Sequence, residues 1–267
     1  MRGQASIDDA NFVKTFAEER GIKFFGGSGD VLKFSAEEKI SVETAARILR
    51  YDFLSRVRQD LNCDAIALAH HADDQAETIL MRLLRGATSA GLSGMKFRAH
   101  SDDYGLLIRP LLRFRKRELE NFCRRKNLSP RLDATNFALD ATRNRIRLEL
   151  IPTLENFNPA LTETLCRLGE VAADESDFIA AQVEKIFPTV VRDNSIIRAE
   201  FLKLHPALQR AVIKKFLAQV TGSTKDFGFV HFEGVRKVLL NNLSGVELPK
   251  NLRANLRHGK LHITKNF

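Results

Sequence analysis

The segment HHADDQAETILMRLLRG, residues 70–86, holds two adjacent histidines, two adjacent aspartates and a run of spaced polar residues. Asp74, Thr78 and Arg82 are four residues apart, so a helix puts them on one face. Arg85, seven after Thr78, falls on nearly the same side. Ile79, Leu80, Leu83 and Leu84 occupy the opposite face. A polar stripe that leads away from a helix N-terminus beside two imidazoles suits phosphate and proton chemistry. Arginine would meet charge developing on phosphoryl oxygens, and histidine or aspartate would handle protons. The plain alternatives are an aspartate that only caps the helix and histidines that only finish a strand. A metal site is disfavoured: His70, His71, Asp73 and Asp74 are not spaced as ligands on one helical face, and no cysteine assists. No nucleophile elbow or Ser-His-Asp order is present.

The surrounding pattern positions these residues. The apolar run Ala65 to Ala69 reads as a buried strand, and the helical period ends near Arg85-Gly86. Ligands in open α/β sheets sit at the carboxyl ends of strands, and a helix N-terminus there favours anions. Upstream, Phe12, Phe16 and Ala17 share one face of a first helix. Ile22 to Phe25 and Val31 to Phe34 read as short strands. The cluster Gly26 to Asp30 between them reads as a turn and not as a phosphate loop, which should open a helix. Ser41 caps a helix to about Leu61. Leu106 to Ile108 reads as another strand. Arg115 to Lys126 is a basic helix with Leu119 and Phe122 inward. The alternation up to about Arg117 indicates a parallel sheet with right-handed crossovers. Pro159 to about Phe187 forms one long helix with Leu161, Leu165, Leu168 and Val171 among its apolar positions. Beyond it, helices over about Pro206–Val220 and Phe229–Asn241 precede strands at Arg253–Arg257 and Lys260–Thr264, with His258-Gly259 as a two-residue hairpin turn. The expected division is a domain over 1–160 and a helical bridge with a small α+β domain over 161–267.

Composition narrows the class. The 267 residues are 44% hydrophobic and 28% charged, as in a soluble globular protein. No apolar run can span a membrane, and the N-terminus lacks the apolar core of a secretory signal. Cys63, Cys123 and Cys166 form no disulfide framework or zinc pattern, so a reduced cytoplasmic location is the expectation. The net charge is +9, yet Arg109 to Arg147 alone holds 12 Lys/Arg against 4 Asp/Glu. One basic block points to a polyanion such as nucleic acid, or more plainly to a solvated helix face and loop.

At HHADDQAETILMRLLRG the chain resembles the tRNA(Ile)-lysidine synthetases of the PP-loop ATP pyrophosphatase superfamily. AARILRYDFL (45–54), RPLL (109–112), DATN (133–136), TRNRIR (142–147), IPTLENFNP (151–159) and LQRAVIKKFL (208–217) match that family in order, as does the closing hairpin from Leu248-Pro249 to His262. The resemblance implies an α/β PP-loop ATPase-like domain, a helical bridge and a C-terminal tRNA-binding domain. It implies ATP-dependent ligation of lysine to C2 of the wobble cytidine in a tRNA-Ile with a CAU anticodon. ATP, with Mg2+, first adenylates the tRNA, and lysine's ε-amine then displaces AMP. By the same resemblance His71, Asp74, Arg82 and Arg85 are catalytic, and Arg50, His70, Gln75 and Thr78 bind nucleotide or lysine. Arg109, Asn136, Arg143, Asn144 and Arg147 contact tRNA. No protein-held metal is implied, the partners are tRNA, lysine and ATP without a membrane, and a homodimer is one expected state.

The family's Ser-Gly-Gly-x-Asp-Ser loop, which grips the pyrophosphate of ATP, is absent from these residues, and Gly26 to Asp30 lies in the wrong context to replace it. The family's His-x-(Asn/Asp)-His-Gly strand ending is commonly continued by Leu or Met, Arg and often Gly; this chain starts Met1-Arg2-Gly3. The expectation is that two strands lie upstream, that the chain alone exposes a sheet edge and apolar helix faces, and that it is poorly soluble. The alternatives are a non-catalytic tRNA-binding remnant and a PP-loop tRNA cytidine thiolase, the latter disfavoured because the three cysteines offer no pair. The 267-residue chain is therefore expected to show no tRNA-dependent ATP–pyrophosphate exchange above background, and robust exchange would overturn that expectation.

Overall fold

The structure, a computed structural model, describes residues 4–131, 141–241 and 243–265. The chain divides into two compact units, Met1–Ala173 and Asp174–Phe267. The first opens with helices α1 (Gln4–Glu18), α2 (Val31–Glu38) and α3 (Val42–Asp60). Strand β1 (Ala65–Ala67), helix α4 (Ala72–Leu84) and the short helix α5 (Ser89–Leu92) follow. Strands β2 (Arg98–Ser101) and β3 (Gly105–Ile108) and helix α6 (Lys116–Arg125) come next. Helix α7 (Ala141–Arg145), a π-helical turn at Ile146–Leu150 and helix α8 (Ile151–Glu155) precede helix α9 (Leu161–Val190).

The strand and helix that carry the polar stripe form where the sequence places them. Ser41 caps α3, its hydroxyl accepting the Thr44 N–H. The sheet, however, is mixed. β1 pairs parallel with β3, with Ile66 opposite Leu107, and β2 lies antiparallel on the far side of β3. The other edge of β1 has no partner strand among the described residues. One small core joins α3 to this sheet through Tyr51, Ile66 and Leu107. A second packs Ala76, Ile79 and Leu80 of α4 against Ile146 and Leu165.

Two expected strands at the N-terminus do not form. Ile22 to Phe25 is irregular, and Val31 to Phe34 belongs to α2. A four-residue apolar run does not distinguish strand from helix. Here Asp30 decides, because its carboxylate accepts the Lys33 N–H at 3.0 Å and caps the helix. The glycine cluster therefore does precede a helix, contrary to the sequence reading, but Asp30 itself occupies that helix start. Ile22, Phe25 and Leu32 are left exposed. Phe122, expected inward, is exposed on α6, as are Leu168 and Val171 on α9.

The second unit has the two helices and the closing hairpin that the sequence reading placed, with three further strands and a short helix that it did not. It contains β4 (Val191–Arg192), β5 (Ser195–Ile197), α10 (Arg198–Phe201), α11 (Pro206–Thr221), α12 (Phe229–Leu239), β6 (Gly245–Leu248), β7 (Leu252–Arg257) and β8 (Lys260–Lys265). The five strands form an antiparallel sheet in the order β4-β5-β8-β7-β6. His258 and Gly259 have φ of 48° and 74°, so both turn residues adopt the left-handed backbone that a type I′ hairpin requires. Ile213, Phe216, Val235, Leu239 and Leu261 are completely buried in its core. Phe216→Ala should lower the stability of this unit by about 3–5 kcal/mol, the cost of a large core cavity. Chemical denaturation of the full chain, followed by a probe in the second unit, checks this.

Candidate active site

The first unit brings its functional side chains to the carboxyl end of β1. His71 is the N-cap of α4 in extended backbone, with φ −123° and ψ −179°. Asp74 reaches back to accept the His71 N–H at 3.0 Å. The next N–H, of Ala72, donates to the Phe114 carbonyl at 2.8 Å and ties the helix start to the segment leading into α6. The His71 ring lies between carboxylates, with Nδ1 3.5 Å from Asp73 and Nε2 3.4 Å from Asp74. Burial alone would lower its pKa, but Asp73, Asp74 and Glu77 outweigh burial and hold it above the ordinary histidine value. His70 behaves oppositely. Burial pushes it down, the charges of Arg109, Arg47 and Arg143 push it further, and Asp74 only partly compensates. Its buried Nδ1 has no hydrogen-bond partner, and neither has Nδ1 of His71.

Asp73 is held well below the usual carboxylate range. Burial opposes this, but the His71 contact, the Lys116 N–H and the Arg115 guanidinium prevail. Arg115 Nε donates to Asp73 at 3.1 Å and Lys116 N–H donates at 2.7 Å, so this aspartate of α4 caps α6.

Sequence reasoning passed over two of the strongest interactions. Glu77 is 1% exposed, and its carboxylate accepts a forked pair of hydrogen bonds from Arg147, at 2.6 and 3.1 Å. Arg143 lies 3.4 Å away and Arg147 also stands 3.7 Å from Asp74. The forked bond to Glu77 is the main reason that the pKa of Arg147 is raised. The signal was available: Glu77 lies between Ala76 and the apolar pair Ile79-Leu80, and a carboxylate at a buried position demands a cation. Arg115 was the other omission, and only its partners reveal it.

Other predicted residues are placed differently from one another. Gln75 is buried, and its amide exchanges two hydrogen bonds with the Met95 backbone, at 3.1 and 2.7 Å. Gly94 makes this approach possible, since a Cβ there would come within 2.6 Å of the amide. Thr78 donates to the Asp74 carbonyl. Arg82 braces the same loop by donating to the carbonyls of Gly91 and Gly94, both at 2.8 Å. Arg85 is exposed at the end of α4, about 21 Å along the helix from His71, so sharing a face does not bring it to the site. Arg50 is exposed on α3, and Asn144 is half-buried on α7. Arg109 is only 7% exposed and donates to the Lys96 carbonyl at 2.7 Å. The side chain is thus largely enclosed within the first unit. Asn136 and the rest of DATN lie outside the described residues. The site thus gathers His70, His71, Asp74, Arg143 and Arg147: one imidazole facing arginines, one flanked by acids, and two guanidinium groups held by Glu77. Among the described residues no group of three His, Cys, Asp or Glu is placed to hold a metal.

The model of the PP-loop domain family matches residues 1–154, which include this strand, capped turn and helix. The chain belongs to the PP-loop domain family. Its fold is similar to that of the U34-tRNA thiolase NcsA from Methanococcus maripaludis, solved with its [4Fe-4S] cluster, with a TM-score of 0.52 at 19% identity over 63% of this chain and 58% of that one. In sequence it is similar to the tRNA(Ile)-lysidine synthase of Clostridium perfringens, 38% identical over 88% of this chain and 50% of the relative. The enzymes of that name from Clostridium tetani and Geobacillus kaustophilus are 33% and 37% identical, over 98% and 83% of this chain. The chain spans about half the length of the curated relatives it matches.

Removing Arg147 should be worse than removing its partner. Arg147→Ala removes the forked bond from a buried carboxylate, leaving it only the single contact of Arg143 at 3.4 Å, and should cost about 3 kcal/mol. Glu77→Gln leaves Arg147 free to turn toward water and should cost less. Urea denaturation of the two variants, followed in the first unit, gives the order.

Proposed function

We propose that this chain carries the tRNA- and lysine-facing part of a tRNA(Ile)-lysidine synthetase. The observation that supports this reading most is the 31–38% identity to enzymes of that name over 83–98% of the chain. In this reading ATP, with Mg2+, activates C2 of the wobble cytidine of tRNA-Ile(CAU) as an adenylate, and the ε-amine of lysine attacks that carbon and releases AMP. His70 takes the proton-handling role that the sequence reading gave to histidine or aspartate, since burial and the arginines around it hold its pKa below the ordinary value. Asp74 receives the lysine ammonium or its proton. Arg143 and Arg147, pinned by Glu77, hold their segment at the site beside the tRNA, and the exposed cations of α6 meet its phosphates.

The thiolase reading is weaker. Cys166 donates to the Ala72 carbonyl at 3.7 Å, and burial pushes its thiol up to about 11, so it stays protonated and unreactive at neutral pH.

The reading is tested by joining the chain to the part of the Clostridium perfringens relative that it does not match and supplying ATP, lysine and tRNA-Ile(CAU). Lysidine should form, and tRNA affinity should fall steeply as salt rises. A folded chimera that binds tRNA but forms no lysidine favours the non-catalytic reading.

A further inference from the structure

One carboxylate joins three helices at the candidate site. Asp73 belongs to α4 and accepts from both the side chain of Arg115 and the N–H of Lys116, at the start of α6. Arg115 is itself held, donating to Glu163 of α9 at 2.8 Å and lying 3.6 Å from Glu155. Only 14% of the Arg115 side chain is exposed. The same Asp73 oxygen that accepts the Lys116 N–H lies 3.5 Å from His71 Nδ1. Asp74 covers the other ring nitrogen and accepts the His71 N–H with the same oxygen.

We propose that Asp73 is a positioning residue for His71, and that Arg115, anchored by Glu163, fixes Asp73 for that task. A ring with a carboxylate beside each nitrogen, at 3.5 and 3.4 Å, is flanked by acids on both sides, although its Nδ1 makes no hydrogen bond. The latch therefore assigns His71 to holding the turn and its charge, and leaves His70 to meet the substrate; this last step rests on the lysidine reading above. The groups facing His71 fit the assignment: Asp73, Asp74 and Glu77 from α4, Arg115 before α6, Arg147 through Asp74, and the protonated Cys166 of α9 at the Ala72 carbonyl. A purely structural role is the competing explanation, in which Asp73 does no more than cap α6.

Ring titrations separate the two. NMR of the 267-residue chain with isotope-labelled histidine, assigned with a His71→Gln variant, reads each imidazole without ATP or tRNA. Failure of the latch and failure of the lysidine reading are thus distinguishable. His71 should titrate above its ordinary value of about 6.5. Asp73→Asn keeps an oxygen for the Lys116 N–H and removes the charge. It should lower the His71 midpoint by about one pH unit while leaving the Lys116 amide signal in place. Arg115→Gln gives opposite signs in the two cases. If Arg115 were only a nearby positive charge, its loss would raise the His71 midpoint. If it fixes Asp73 against the ring, its loss lowers that midpoint. Should this variant not fold, Arg115→Lys keeps the charge but gives up the planar fork shared between Asp73 and Glu163, and the midpoint should again fall. An unmoved His71 midpoint in Asp73→Asn, a raised one in Arg115→Gln, or an unmoved one in Arg115→Lys overturns the proposal.

Discussion

Helix α4 begins with three carboxylates, Asp73, Asp74 and Glu77, within five residues. The helix dipole favours acids there, but only by a fraction of a kcal/mol each at an exposed surface. Packed inward, three like charges could not coexist unpaired. Each is answered by an arginine from later in the chain: Asp73 by Arg115, Glu77 by Arg147 and Arg143, Asp74 by Arg147 at longer range. These pairs bind α6 and the α7-to-π-turn segment to α4 more specifically than the small apolar core formed by Ala76, Ile79, Leu80, Ile146 and Leu165 could. Apolar packing sets the distance between helices; forked ion pairs set their register.

That constraint changes the meaning of the basic block. Read as a sequence, Arg109 to Arg147 is one excess of positive charge awaiting a polyanion. In the fold, Arg109, Arg115 and Arg147 are engaged inside the protein, on backbone carbonyls and on the acids of α4 and α9, and Arg143 lies 3.4 Å from Glu77. The cations left toward solvent are those such as Arg117, Arg124, Arg125 and Lys126, grouped on α6 beside the exposed Phe122. A charge run counts donors, and burial decides which donors remain available to a partner.

The same distinction marks where the sequence was legible. Periodicity located α3, α4, α9, α11, α12 and the final hairpin, because each buries one stripe or alternates on one face, a pattern carried by neighbouring residues. Ile22–Phe25 and Val31–Phe34 were too short for a period to exist, and one capping aspartate settled the second. Arg85 shares the polar face of α4 but stands at its C-cap, because a common helical face fixes direction and not position along the axis. Glu77, Arg115 and the burial of Arg109 depend on contacts between residues tens of positions apart, which local pattern does not encode.

The paired histidines carry this argument to the site. They are identical in type, adjacent and about equally removed from water, yet their pKa values move in opposite directions. Burial cannot cause the difference, because it lowers both. The cause is geometric. Where the backbone is extended, as it is at His71, successive side chains leave it on opposite sides. One ring therefore meets the acids of α4, and the other meets the field of Arg47, Arg109 and Arg143. A helix that began one residue earlier would place both rings in one environment and erase the distinction. The Asp74-to-His71 backbone hydrogen bond, which fixes where α4 begins, is therefore what moves the pKa values of the two imidazoles in opposite directions.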